Sequence, residues 1–441
     1  MVFPKDFLWG AATASYQIEG GGLTDGRGEC IWHRFSHTPG NVVNGDTGDV
    51  ACDHYHRYRE DVALMKELGL KAYRFSTSWP RVLPNGVGPI NPAGLDFYSR
   101  LVDELLEANI RPFLTLYHWD LPQALQDIGG WENPDSVKWF ADYAGVMAHA
   151  LGDRIKDWTT LNEPFVISFV GNLFGAHAPG KQDINAAYRV AHHLMLAHGA
   201  AVPVIRQAVA DARVGITIDL GYFESPTDNE ADIQAAYRED GFKNRWFLDA
   251  ALKGQYPTDI VALLGDTLEG IDLAEVEAAA VPVDFLGINY YTRHLYVAGS
   301  DGLFYSKDVE PDGSEFTAMG WEIYPDGLRK LLIRVAEEYK PPVMYVTENG
   351  AAFDDPTPAQ GVVDDPRRAS YLRDHFAAAS QAIEQGVPLK GYFVWSLLDN
   401  FEWAEGYNKR FGIIYVDYAT QKRTFKASAR YYQQLISEQQ R

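Results

Sequence analysis

Short apolar runs alternate along this chain with longer stretches in which apolar residues recur every three or four positions. The short runs fall at 7–12, 72–76, 112–117, 157–161, 214–218, 285–288, 343–347 and 391–396, and their β-branched and aromatic content predicts eight buried strands. Between them, 55–68 places Val62, Met65 and Leu68 at helical spacing, with Leu64 on the adjoining face, and stops at Gly69. Asn91-Pro92 and Asn133-Pro134 each set an N-capping Asn before a proline suited to the first turn, the second ahead of a helix over 137–151. Further helices are predicted at 184–210, 237–253, 325–339, 366–385 and 426–437.

Strands separated by helices imply parallel pairing through crossover connections, and eight such units imply an α/β protein built as one closed (β/α)8 TIM barrel. That barrel needs about 250 residues, which leaves roughly 190 for long loops. The candidates are 20–53, 119–131, 165–182, 289–324 and 401–411. Most follow strands, which puts them on the C-terminal rim, where barrel active sites are built. No linker or internal repeat divides the chain, so residues 1–441 read as a single catalytic domain.

Composition narrows the function. Hydrophobic residues make up 46% of the 441, and aromatics reach 13%, with 11 Trp and 25 Tyr. That aromatic share fits either a large core or a site for a ligand with flat apolar faces and many hydroxyls. The formal net charge of -21 repels phosphate backbones and anionic membranes and excludes nucleic acid as a natural partner. There is no basic-then-apolar leader, no run of membrane-spanning length and no Asn-x-Ser/Thr sequon, so a cytoplasmic location, or a mature form already trimmed, is expected. Cys30 and Cys52 form no C-x-x-C pair and leave both free thiols and a single disulfide open. His54 and His56 open a helix at a spacing that does not share a face, and Gly20-Gly21-Gly22 lacks phosphate-loop spacing, so neither metal nor nucleotide is expected. Nothing in the sequence signals an oligomeric state.

Two glutamates carry the chemistry. Glu163 stands in Thr160-Leu161-Asn162-Glu163-Pro164 at the end of the fourth strand, and Glu348 stands in Val346-Thr347-Glu348-Asn349-Gly350 at the end of the seventh. Glycoside cleavage needs such a pair, one carboxyl to protonate the leaving oxygen and one to capture the cationic sugar carbon. At about 5 Å, the retaining separation, two carboxylates repel by about 3 kcal/mol at an effective dielectric of about 20, or about two pKa units. One therefore keeps its proton. Arg74, at the end of the second strand, decides which if it points at Glu348: that carboxylate then stays ionised and nucleophilic, and Glu163 becomes the acid. Once Glu348 is esterified the repulsion vanishes, and Glu163 turns into a base toward water. Gln17, His118-Trp119, Asn162, Asn289, Tyr291, Trp395 and Glu402-Trp403 all fall at or after strand ends. Each alone fits a core position as well. Together they supply the amide, imidazole and carboxylate partners of a hexose, with indole faces for its C–H side.

These residues resemble glycoside hydrolase family 1, the β-glucosidase family, from Phe7 to about Tyr432. The likeness rests on Phe7-Leu8-Trp9-Gly10-Ala11-Ala12-Thr13 leading to Gln17-Ile18-Glu19-Gly20, on Tyr117-His118-Trp119-Asp120, on the two glutamate frames, on Gly287-Ile288-Asn289-Tyr290-Tyr291 and on Asn400-Phe401-Glu402-Trp403. The resemblance implies a retaining, exo-acting β-glucosidase without metal or cofactor, acting on small-molecule β-glycosides. It implies that Gln17, His118, Asn162, Glu402 and Trp403 hydrogen-bond the terminal sugar, with Trp119, Asn289 and Phe411 among the substrate contacts. Trp395 would form the floor beneath the sugar, and Tyr291 and Arg74 would orient the nucleophile. Trp321 would flank the leaving group.

Myrosinase-like members of that family carry Gln in place of the acid, but here the residue is Glu163. Members specific for 6-phosphates carry a Ser and a Lys–Tyr set where this chain has Glu402-Trp403-Ala404-Glu405-Gly406-Tyr407, whose carboxylates repel a phosphate. Two segments depart from the commoner pattern, 169–174 and 218–223, and are expected to govern the leaving-group side. A β-galactosidase, a β-fucosidase or a transglycosylase of the same family is the alternative activity. A non-catalytic sugar-binding barrel is disfavoured by the presence of both glutamates.

Overall fold

Eight strands close on themselves, with every neighbouring pair parallel. We label them β1 (Leu8–Ala12), β2 (Ala72–Ser76), β3 (Arg111–Tyr117), β4 (Asp157–Asn162), β5 (Arg213–Asp219), β6 (Phe285–Asn289), β7 (Met344–Asn349) and β8 (Leu389–Trp395). In the barrel they follow chain order, and β1 closes the ring by pairing with both β2 and β8. Helices fill the intervals, so the predicted (β/α)8 barrel is the observed architecture. This computed structural model describes residues 1–300 and 302–439. Residue 301, inside the predicted loop 289–324, and residues 440 and 441, at the end of the predicted domain, lie outside the described residues.

The barrel is filled rather than hollow. Phe113 packs against Phe285, Phe393 and Tyr345 with ring centroids 5.0, 5.1 and 5.4 Å away, plugging the axis below the rim. Gly10 makes room for this plug, because a Cβ there would meet the Phe393 ring at 2.5 Å. Beneath the plug Asp157 is buried and takes Arg111 and Arg213 side by side, at 2.5 and 2.7 Å.

The structure revises several details of the predicted elements. Asn91 and Asn133 do not cap helices through their side chains. Asn91 Nδ2 donates to the Asp25 and Arg81 carbonyls, and the Asn133 side chain accepts from Asp135 N ahead of helix Ser136–Leu151. The helix expected over 237–253 starts earlier, at Glu230–Asp240, and passes through a π turn, Gly241–Arg245, before Trp246–Lys253. Two small sheets were not foreseen: Tyr222–Glu224, Arg293–Ala298 and Ser306–Asp308 pair beside the rim, and Ile414–Asp417 and Lys422–Phe425 form a hairpin after β8. Both cysteines are buried free thiols. His54 is buried against Asp61, with Nδ1 to Oδ2 at 2.8 Å, whereas His56 is exposed. No helix among the described residues is long and apolar enough to cross a membrane.

One buried ion cluster braces the rim after β8. Lys426 Nζ lies 2.5 Å from Asp355 and 2.6 Å from Asp399. Arg368 joins Asp355 and Asp365 at 2.7 and 2.6 Å, and Arg410 joins Asp399 at 2.7 Å. Asp399 directly precedes Asn400-Phe401-Glu402-Trp403, so the cluster fixes where that segment begins. Lys426→Met leaves two buried carboxylates short of a cation and is expected to lower stability by about 3–5 kcal/mol. Chemical denaturation of the variant beside the parent measures this, and an unchanged midpoint would contradict it.

Candidate active site

Both glutamates are aimed by irregularities in their strands. The β4 register slips against β5 between Thr159 and Asn162, and the β7 register slips against both β6 and β8 beyond Val346. An extra residue of this kind bends a strand and redirects its side chains. Glu348 consequently lies inside β7, not after it. Glu163 follows β4 with φ +52°, a left-handed conformation costing about 1–3 kcal/mol in a residue with a side chain. Its N–H is held by the Thr217 carbonyl at 3.0 Å. Gly350 explains the rest of the second frame, since a Cβ there would sit 1.6 Å from the Trp395 carbonyl oxygen.

Arg74 does point at Glu348. Its Nη1 donates to Glu348 Oε1 at 2.6 Å and its Nη2 to Asn162 Oδ1 at 2.5 Å, with the guanidinium fully buried. Tyr291 Oη donates to the other carboxylate oxygen at 2.7 Å. Asn289 bridges toward the second glutamate: its Nδ2 donates to Glu163 Oε1 at 2.5 Å and Asn162 Oδ1 at 3.1 Å. The Asn289 oxygen accepts from Thr347 Oγ1 at 2.7 Å, which fixes the amide orientation. Since Asn162 Oδ1 already accepts twice, its Nδ2 donates to His118 Nε2, 3.1 Å away. The His118 proton therefore sits on Nδ1. Burial, with Arg74 beside it, holds the His118 pKa well below the usual range, so the ring is neutral.

The electrostatics separate the two carboxyls. Burial lifts both. At Glu348 the lift is opposed by the Arg74 charge and by hydrogen bonds from Arg74 and Tyr291. At Glu163 burial is reinforced by the negative charges of Asp219 and Glu348, and its pKa rises well above the ordinary value. Glu402 is also lifted, to about 8, by burial and by Glu348, against one hydrogen bond from Gln17.

A cavity of about 400 Å³ opens over these groups. Of the residues singled out in the sequence, His118, Trp119, Glu163, Asn289, Tyr291, Trp321, Glu348, Trp395, Glu402, Trp403 and Phe411 line it. Gln17, Asn162 and Arg74 are buried and each contacts a lining residue, Gln17 at Glu402, Asn162 at His118 and Asn289, and Arg74 at Glu348. Gln17 Nε2 reaches Phe401 O at 2.9 Å, Asn400 Oδ1 at 3.1 Å and Glu402 Oε2 at 3.4 Å, while its Oε1 has no partner among the described residues. The aromatic wall is continuous: Trp119 and Trp403 lie 4.6 Å apart, and His118 stacks on Trp395 at 5.7 Å. Tyr291, Trp321 and Phe411 form the opposite side. Trp119 and Trp403 share the left-handed backbone of Glu163, with φ +79° and +51°.

Among the lining residues to which the sequence reading gave no role of their own are Asp219 and Lys243. Asp219 ends β5 inside a segment recognised only as part of the outer pocket. Lys243 lies in the π turn, which helical periodicity does not reveal. Lys243 Nζ contacts Asp219 Oδ2 at 2.5 Å, and both border the cavity next to Glu163. Among the described residues Asp219 Oδ1 has no partner.

A parallel eight-stranded barrel whose rim cavity buries two carboxyls among amides and indoles defines a glycoside hydrolase. The whole chain, residues 1–441, matches the family described as glycosyl hydrolase family 1. It is 53% identical to β-glucosidase A of Thermotoga maritima over 98% of this chain and 97% of that protein. It is 52% identical to the 1,4-β-D-glucan glucohydrolase of Thermotoga neapolitana over 98% of each. A solved structure of the Thermotoga maritima β-glucosidase in complex with glucoimidazole superposes with a TM-score of 0.97 at 53% identity, covering 99% of both chains. The chain belongs to glycosyl hydrolase family 1.

Proposed function

We propose that this protein is a retaining, exo-acting β-glucosidase in which Glu163 is the acid/base and Glu348 the nucleophile. It removes terminal β-D-glucosyl residues from aryl and alkyl glucosides and from short β-glucans such as cellobiose. The observation that carries the assignment is the asymmetry of donors: Arg74 and Tyr291 both converge on Glu348, whereas the nearby Lys243 is paired with Asp219 and, among the described residues, no cation forms an ion pair with Glu163. In the first step a Glu348 oxygen attacks the anomeric carbon, the bond to the leaving oxygen breaks, and the Glu163 proton passes to that oxygen. In the second, Glu163 takes a proton from water, whose oxygen displaces Glu348 from the same carbon. Two inversions leave the β configuration. The two carboxyls supply both nucleophile and proton, so the cycle calls on no cofactor.

In this reading Gln17, His118, Asn162, Glu402 and Trp403 hold the hydroxyls of the terminal sugar, and Trp395 lies under its ring. The Asn162 amide, already ordered by Arg74 and Asn289, meets the 2-hydroxyl, where a bond that tightens in the transition state accelerates the reaction. Trp321, Asp219 and Lys243 border the leaving group. Residues 1–441 act as one catalytic domain. Two buried free thiols fit a reducing compartment, and we place the enzyme in the cytoplasm, trimming the short products of cellulose degradation. Fractionation of expressing cells checks that location.

Glu348→Ala is expected to abolish hydrolysis and to regain turnover with azide, releasing α-glucosyl azide; a β-azide would reverse the two roles. Glu163→Gln is expected to keep fast glycosylation by dinitrophenyl glucoside while losing activity on poor leaving groups. Equal loss on both would remove Glu163 as the acid. Asp219→Asn takes away one negative charge that raises the Glu163 pKa. Glu163 must carry its proton in the free enzyme, so activity is lost as pH rises through that pKa. The basic limb of the kcat/KM profile should therefore move to lower pH. An unmoved limb would show that Asp219 does not act on Glu163.

A further inference from the structure

The long loop after β1 contains a cluster that the glycosidase chemistry does not use. His33 lies in helix Ile31–Ser36, His37 caps that helix at its C-terminal end, and Asp49 comes from the loop that folds back over both. The two histidines are four residues apart and share a helical face. Their rings lie 4.2 Å apart. His33 Nδ1 is 3.4 Å from Asp49 Oδ1, and His37 Nε2 is 3.0 Å from Asp49 Oδ2. All three candidate ligand atoms lie within 4.8 Å of one another.

Hydrogen-bond geometry makes this more than a pair of surface contacts. His37 Nδ1 lies 2.7 Å from the His33 carbonyl, which only accepts, so Nδ1 carries the proton. In the neutral ring the lone pair of Nε2 then faces a carboxylate oxygen directly, an arrangement that needs a cation between them or a second proton on the ring. This is also how a ligating histidine is oriented, with its other nitrogen donating to a backbone carbonyl. Asp49 Oδ1 is shielded from solvent and, among the described residues, has His33 Nδ1 at 3.4 Å without hydrogen-bond geometry. The Asp49 main chain is fixed from behind, its carbonyl accepting from Gly22 N at 3.1 Å. For bonds of about 2.0–2.1 Å at tetrahedral angles, ligand atoms lie roughly 3.3 Å apart, close to both spacings found here.

We propose that His33, His37 and Asp49 form a binding site for a divalent transition-metal ion of the zinc class, separate from the glycosidase centre. The donor set of two imidazoles and one carboxylate suits such an ion and leaves a fourth position for water. Bound there, the ion joins helix Ile31–Ser36 to the 46–49 loop. Both back the sugar pocket: Trp32 packs on Trp403 at 4.6 Å, and Asp46 accepts from Tyr407 N at 3.0 Å. The site is a staple on the rim and takes no part in the chemical step.

The test uses the full-length, untagged protein, stripped with a chelator and titrated with zinc chloride by calorimetry and by thermal melting. One zinc per chain, with a rise in melting midpoint, is expected for the parent. His33→Asn and His37→Asn, made separately, are each expected to lose stoichiometric uptake and the zinc-dependent rise. Both should keep the parental kcat/KM on nitrophenyl β-glucoside in chelator. No stoichiometric zinc in the parent, or equal uptake by the folded variants, overturns the proposal.

Discussion

Arg74 is a buried guanidinium that grips Glu348 with one nitrogen and Asn162 with another. Deprived of water, it has to be matched by a negative charge, and Glu348 supplies that charge at 2.6 Å. The consequences run outward from this pair. Asn162, pulled by Arg74, turns its amide nitrogen to His118 and so fixes the imidazole tautomer. Asn289, locked by Thr347, shares its own nitrogen between Asn162 and Glu163. One cation thus orders the base of the pocket, and in the proposed mechanism Glu163, which Arg74 does not contact, is the carboxyl that retains a proton.

That arrangement depends on the barrel being parallel and filled. Parallel strands end together at one rim, so Arg74 from β2, Asn162 from β4, Asn289 from β6 and Glu348 from β7 meet although they are far apart in sequence. The aromatic plug of Phe113, Phe285, Tyr345 and Phe393 closes the axis below them and keeps water from entering from beneath. Above, the ion cluster at Lys426 anchors the segment that carries Glu402 and Trp403. The rim loops are therefore braced walls, with Asp219 and Lys243 bordering the cavity beside Glu163.

Much of this was legible in the sequence because its causes are local. Strand-length apolar runs located all eight barrel strands to within a few residues, and Arg74, read as ending the second strand but central in β2, raised the pairing that the structure contains. What escaped has non-local causes. The register slips that put Glu348 inside β7 arise from pairing with β6 and β8, which the β7 sequence alone does not encode. Lys243 reaches the pocket through a π turn that shifts it off the 3.6-residue face. Asn91 and Asn133 have the composition of caps, but tertiary carbonyls and a local turn take their side chains. His33 and His37 had helical ligand spacing in plain view, yet their third partner, Asp49, is supplied only by the fold of the loop.

The division of labour between the carboxyls is tested most directly by the Glu163 titration itself. Carboxyl 13C NMR of glutamate-labelled enzyme, free and then trapped as the 2-fluoroglucosyl ester on Glu348, reports that pKa in both states. A high value in the free enzyme that falls once Glu348 is esterified is the predicted result, since the ester removes one of the charges raising it. A Glu163 pKa that is the same in both states would contradict charge repulsion as the origin of its protonation.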